Sequence, residues 1–139
     1  MPPIKERLGF VTMPVIAHGV DLVEIARIEA MLSEHGQRFV QRCFTDGEQR
    51  YADASRKLRA QRYGARFACK EAVLKALGTG WRDGISWRDM EVTRQPSGSP
   101  RLVLAGRCAE LAAELNIARW HVTLSHTPLC AMASVIASG

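Results

Sequence analysis

Arg59-Ala60-Gln61-Arg62-Tyr63-Gly64-Ala65-Arg66-Phe67-Ala68-Cys69-Lys70-Glu71-Ala72-Val73-Leu74-Lys75-Ala76-Leu77-Gly78 is the stretch around which the rest of the chain has to be arranged. Ala60, Ala65, Ala68, Ala72 and Ala76 raise its helix propensity. Phe67, Leu74 and Leu77 supply parts of an apolar face, and Gly78 is a natural stop. The pattern predicts a helix over 59–77. Upstream, the apolar run from Val15 to Val20 predicts a short buried strand. Asp21, with Glu24 three residues on, reads as a capping box, so a helix is expected to start there. Leu22, Ile25, Ile28 and Leu32 then recur at helical spacing, and Gly36 ends or bends that helix. A second short helix is expected over 37–43, and Thr45 with Glu48 offers another helix start.

Downstream, Met90 to Arg94 and Leu102 to Leu104 read as strands around the turn Gln95-Pro96-Ser97-Gly98-Ser99-Pro100. Cys108, Leu111, Ala112 and Leu115 repeat at helical spacing. Trp120, Val122 and Leu124 alternate with His121, Thr123 and Ser125, a strand signal. Thr127-Pro128 breaks the chain, and Ala131 to Ala137 reads as a returning strand. This order of elements predicts an α+β fold, a mostly antiparallel sheet packed with a long central helix. There is no internal repeat. Residues 1–14 are expected to form a flexible N-terminal extension, and residues 15–139 a single domain.

With 47% hydrophobic and 24% charged residues, the chain is globular in composition and not disordered. No window is apolar enough to span a membrane, and the stretch from Leu8 to Ala17 has no signal-peptide cleavage pattern. Cys43, Cys69, Cys108 and Cys130 are far apart, lack metal-ligand spacing and sit among apolar residues. They are expected to be reduced thiols in a cytoplasmic protein. The net charge of +5 favours an anionic partner without saying which.

Three features carry chemistry. Asp21 reads either as a helix cap or as a ligand for a hard cation. Glu71 and Lys75 lie four apart on one helical face, as a surface ion pair would. Yet Arg66 and Lys70 add positive charge at adjoining positions, and the turn Gly78-Thr79-Gly80 follows at once. Such a turn is either an ordinary helix cap or a backbone able to approach a phosphate closely. Ser125-His126-Thr127, at the end of a strand, is the third feature; a histidine there is more often structural than catalytic.

In order and spacing, these residues resemble a known family. Gly19-Val20-Asp21-Leu22-Val23-Glu24-Ile25-Ala26-Arg27-Ile28 looks like the first motif of the holo-[acyl-carrier-protein] synthases, a group of small 4′-phosphopantetheinyl transferases. Phe67-Ala68-Cys69-Lys70-Glu71-Ala72-Val73-Leu74-Lys75-Ala76-Leu77-Gly78-Thr79-Gly80 looks like the second. Val122 to Thr127 with Ala131-Met132-Ala133 resembles the closing hairpin. The resemblance implies transfer of 4′-phosphopantetheine from coenzyme A to a serine of an acyl carrier protein. It implies Mg²⁺ held by Asp21 and Glu71, with Lys75 facing the reacting phosphate. The coenzyme A site is expected to draw on Arg66, Gly78, Thr79, Gly80, His126 and Thr127. Arg27 is expected to face the carrier protein, with Arg38 and Arg42 nearby. Family members of this length assemble as threefold rings, so a homotrimer with sites between subunits is expected. The sequence departs from the usual pattern at Leu74, at Ser99 within Gly98-Ser99-Pro100, and at Ala17-His18; none of these removes an expected metal ligand.

The chemistry suits these residue types. Negative charge grows on phosphate oxygens in the transition state. A cation held by two carboxylates and a neighbouring ammonium group both stabilise it. The carrier serine needs a proton acceptor, for which Glu71 or a metal-bound water would serve. The competing reading is a basic nucleic-acid-binding module. Scattered basic residues and the lack of a recognition motif leave that resting on charge alone, so no nucleic-acid or membrane partner is expected.

Overall fold

The structure, a computed structural model, describes residues 12–80 and 84–139. The flexible extension expected over residues 1–14 falls, for residues 1–11, outside the described residues. The elements in chain order are β1 (Val15–Glu24), α1 (Ile25–Glu34), α2 (Gly36–Cys43), α3 (Asp46–Asp53), α4 (Arg59–Leu77), a 3-10 turn (Trp87–Asp89), β2 (Met90–Arg94), β3 (Pro100–Leu104), α5 (Gly106–Glu114), β4 (Arg119–His126) and β5 (Cys130–Ser138). Among the described residues they form an antiparallel three-stranded sheet in the order β1-β5-β4 and an antiparallel hairpin of β2 and β3. The fold is α+β, as the pattern predicts.

Helix α4 lies across one face of the larger sheet. Small residues let it come close. A Cβ on Gly19 of β1 would sit 2.0 Å from the Ala72 carbonyl oxygen, so only glycine permits this approach. Gly64 packs less tightly: a Cβ there would meet the Ile25, Ala131 and Ile28 side chains at 3.2, 3.3 and 3.5 Å. The sheet face toward α4 carries buried Gly19, Val23, Ala131, Ala133, Val135 and Ala137. The other face of the sheet exposes Val20, Leu22, Met132 and Ile136. On the far side of α4, Phe39, Phe44, Tyr63 and Phe67 form an aromatic cluster, with Phe39 and Phe44 edge to face at 5.5 Å and Phe44 and Tyr63 tilted at 4.7 Å.

Two sequence expectations need correction. The strand starting at Val15 is not a short buried one. It runs to Glu24 and is exposed at every other position along its outer face. Asp21 and Glu24 form no capping box: α1 starts at Ile25, and Glu24 at its N-cap makes no side-chain cap bond. The reason is non-local. Asp21, Leu22, Val23 and Glu24 pair with Ala133, Met132, Ala131 and Cys130 of β5, and this ladder holds the segment extended. The Leu129 carbonyl then accepts the Ile25 amide at 2.8 Å, covering one of the helix's open donors. The Thr45–Glu48 start, by contrast, is a true capping box on α3. Gly78 closes α4 in the left-handed region at φ 75°.

Candidate active site

Strand β1 and helix α4 bring Asp21, Glu71 and Lys75 together where Gly19 lets the two elements touch. Lys75 Nζ donates to Asp21 Oδ1 at 3.0 Å and to the Val20 carbonyl at 3.0 Å. Lys75 therefore makes its ion pair across to the strand, not with Glu71 one helical turn back. Burial pushes the Glu71 carboxyl above the usual carboxylate range, and the Asp21 charge raises it further. Lys75 and Arg27 pull it back down. Arg27, exposed on α1, thus stands within electrostatic reach of the cluster.

Two carboxylates that repel each other, half out of water, form a site that favours a cation. Among the described residues no three His, Cys, Asp or Glu side chains group as metal ligands. A two-carboxylate set fits Mg²⁺, which keeps waters and substrate phosphates as its remaining ligands. The pair is too sparse for a structural zinc site.

The other expected site residues lie elsewhere. The Gly78 amide is consumed by capping: it donates to the Leu74 and Lys75 carbonyls. Thr79 Oγ1 lies 3.3 Å from the Gly80 carbonyl, and Gly80 also has a positive φ of 57°. Both residues follow the end of the helix that carries Glu71 and Lys75. Arg66 points the other way. It is buried, its guanidinium stacks 4.1 Å from the Tyr51 ring, and its Nε has no hydrogen-bond partner. Burial depresses its pKa. Arg66 lines a cavity of ≈ 310 Å³ with Arg50, Tyr51 and Arg94, and Arg94 donates to the Tyr51 hydroxyl at 2.9 Å. His126 and Thr127 sit at the end of β4, on the opposite edge of the sheet from β1. Two strand spacings, roughly 10 Å, separate these edges, so one chain does not gather His126 and Asp21 into a single contact. The Thr127 hydroxyl is engaged by the Leu129 and Cys130 amides, each at 3.1 Å, which shapes the β4–β5 turn.

A second, larger cavity of ≈ 730 Å³ takes in Arg38 and Arg42, which the sequence reading singled out, and apolar walls that it missed. Met31, Phe39, Phe67 and Trp87 give it an apolar floor, exposed Arg38 and Arg42 edge it with positive charge, and His35 lies on the same rim. Trp87 had no sequence signal, because the 3-10 turn that aims it has no hydrophobic period. Three of the four cysteines are buried and all are free; burial pushes Cys43 and Cys108 up to about 11 and Cys69 to about 12, so these thiols are not nucleophiles. No helix among the described residues is long and apolar enough to cross a membrane.

Comparison with known proteins identifies the family and the fold. The profile of the 4′-phosphopantetheinyl transferase superfamily matches residues 17–130. A holo-[acyl-carrier-protein] synthase of Methylobacterium radiotolerans is 51% identical over 126 residues, covering 88% of this chain and 92% of that protein. The crystal structure of the Neisseria meningitidis holo-[acyl-carrier-protein] synthase superposes with a TM-score of 0.82 at 28% identity, covering 91% of this chain and all of that one. The Helicobacter pylori holo-[acyl-carrier-protein] synthase, solved in complex with coenzyme A, superposes with a TM-score of 0.76 at 29% identity, covering 87% of this chain and 99% of that one.

Proposed function

Because this chain belongs to the 4′-phosphopantetheinyl transferase superfamily, we propose that it moves the 4′-phosphopantetheine of coenzyme A onto a serine of an apo acyl carrier protein. The observation that carries the reading is the meeting of Asp21, Glu71 and Lys75 at the β1–α4 contact. The serine oxygen attacks the phosphorus that bears pantetheine, the bond to the bridging oxygen breaks, and 3′,5′-adenosine bisphosphate leaves.

Asp21 and Glu71 would hold Mg²⁺, which when bound neutralises charge growing on the phosphate oxygens. Lys75, more than half exposed and held only by Asp21 and a carbonyl, can turn its ammonium toward those same oxygens. Glu71, in the same cluster, can accept the serine proton. In a ring, Arg66 with its neighbours Arg50 and Arg94 would offer positive charge to the phosphates of a donor held by another subunit, whose Gly78-Thr79-Gly80 turn and Lys75 would border that donor.

The cavity floored by Phe67 and Trp87 and edged by Arg38 and Arg42, with Arg27 near Glu71, suits an acidic carrier surface bearing an apolar side chain. The working unit is a homotrimer. Two features support this: the outer sheet face exposes Val20, Leu22, Met132 and Ile136 together, and His126 lies on the edge away from Asp21, where it can serve a neighbouring subunit's site. Light scattering tests the ring, and a fully active monomer would contradict it. Incubation with coenzyme A, Mg²⁺ and an apo carrier should add one phosphopantetheine, about 340 Da by covalent formula, to the carrier. No gain with several apo carriers would overturn the reading.

A further inference from the structure

The turn that carries Trp87 is fastened to the end of α2 by two cations from different elements. Helix α2 ends at Cys43, and its last carbonyls have no partner within the helix. Lys70, fully buried on α4, donates to the Cys43 carbonyl at 2.6 Å and to the Trp87 carbonyl at 3.2 Å. Its third proton goes to Glu48 Oε1 at 2.6 Å. Arg88, next to Trp87, donates through one nitrogen to the carbonyls of Gln41 at 3.1 Å and Phe44 at 2.8 Å. Its other terminal nitrogen pairs with Asp46 at 3.1 Å. Positive charge at a helix carboxyl end also complements the helix dipole. Between these two tethers the Trp87 ring lies stacked on Phe67, centroids 5.0 Å apart and planes 25° from parallel. Both rings belong to the cavity assigned above to the carrier protein, whereas Lys70 and Arg88 do not line it.

We propose that Lys70 and Arg88 are positioning residues for carrier capture, clamping the Trp87 turn to the end of α2 and so holding the Phe67–Trp87 wall of the docking cavity in place before the carrier arrives. A wall fixed in advance has no ordering cost to meet on binding. The proposal rests on the functional reading above and deepens it. It predicts a division of labour along α4: Glu71 and Lys75 act on the donor, whereas Lys70, one residue away, governs affinity for the acceptor.

Lys70→Met removes a buried charge and is expected to compromise folding, so Arg88, which is partly exposed, carries the test. Steady-state transfer would be measured for wild type, Arg88→Ala and the control Arg42→Glu, varying apo carrier and coenzyme A separately at several salt concentrations. Arg88→Ala should raise the carrier KM roughly tenfold, the size expected for losing a hydrogen bond of ordinary net strength. The coenzyme A KM and kcat should stay within twofold, and the salt dependence of carrier capture should match wild type. A flattened salt dependence would mean that Arg88 touches the carrier itself, which overturns the positioning role. An unchanged carrier KM in Arg88→Ala, with a raised one in Arg42→Glu, overturns the clamp and leaves the docking cavity standing. If neither variant moves the carrier KM, the cavity assignment falls and takes the clamp with it. Wild-type protein that modifies no carrier contradicts the functional reading itself.

Discussion

Helix α4 carries two lysine–carboxylate pairs, and they differ in almost everything but composition. Lys70 and Glu48 are 0% and 1% exposed, and every proton of the ammonium has an acceptor. Both Glu48 oxygens are used as well, by Lys70 and the Thr45 amide on one side and by the Val92 amide at 2.9 Å on the other. Lys75 is 57% exposed and Asp21 19%, and beside them stands Glu71, a second carboxylate with no ion pair among the described residues. The first pair is saturated and ties α2, α3, α4 and β2 together. The second is under-neutralised and partly wet. A saturated pair is architecture; an unsaturated one has capacity left for a cation and a phosphate.

Removing a partner from each pair separates the two kinds. Glu48→Ala leaves a buried ammonium without its counter-charge and removes one half of the α3 capping box, and should cost about 3–5 kcal/mol in urea or thermal unfolding. A loss below 1 kcal/mol would show that water reaches Lys70. Lys75→Met should cost less than about 1 kcal/mol of stability, since exposed pairs contribute little. Its transfer rate should fall by about a hundredfold or more, in kcat rather than in the KM for coenzyme A, because negative charge grows toward the transition state. A raised KM with unchanged kcat would assign Lys75 to ground-state binding.

The smallest effect distinguishes the pairs by pH. The folded-state pKa of Glu71 is raised, mainly by burial. Ionised Glu71 therefore weighs against the fold above that pKa, and the penalty disappears below the unfolded value of about 4.3. In chelator at pH 7, Glu71→Gln should melt slightly higher than wild type, and the difference should vanish toward pH 4. Added Mg²⁺ should raise the melting temperature of wild type but not of Glu71→Gln. Equal melting curves at every pH, with and without Mg²⁺, would mean that Glu71 bears neither the strain nor the metal.

Much of the frame was legible because it is local. Alanine spacing and Gly78 place α4 at its observed bounds, and alternation places β2 and β4. The capping reading of Asp21 failed because β5, more than a hundred residues away, decides the conformation of 21–24. Lys70 read as one more surface charge beside Glu71, since nothing within a turn of it announces Glu48. Arg66 and His126 were expected in a site shared between subunits, and in one chain they stand apart from Asp21, Arg66 stacked on Tyr51 and His126 two strands away. Motif order brings residues onto one list; only packing says which of them meet.

The central claim is that the Asp21–Glu71–Lys75 cluster performs the transfer through a bound cation. Asp21→Asn tests it most directly, because asparagine can still accept the Lys75 hydrogen bond while losing the charge. Apo carrier would be incubated with coenzyme A at limiting Mg²⁺ and its mass followed over time. Wild type should add the phosphopantetheine mass, and Asp21→Asn should be slower by about a thousandfold, a loss of ~4 kcal/mol in transition-state stabilisation. Full activity of Asp21→Asn at limiting Mg²⁺ would contradict the account.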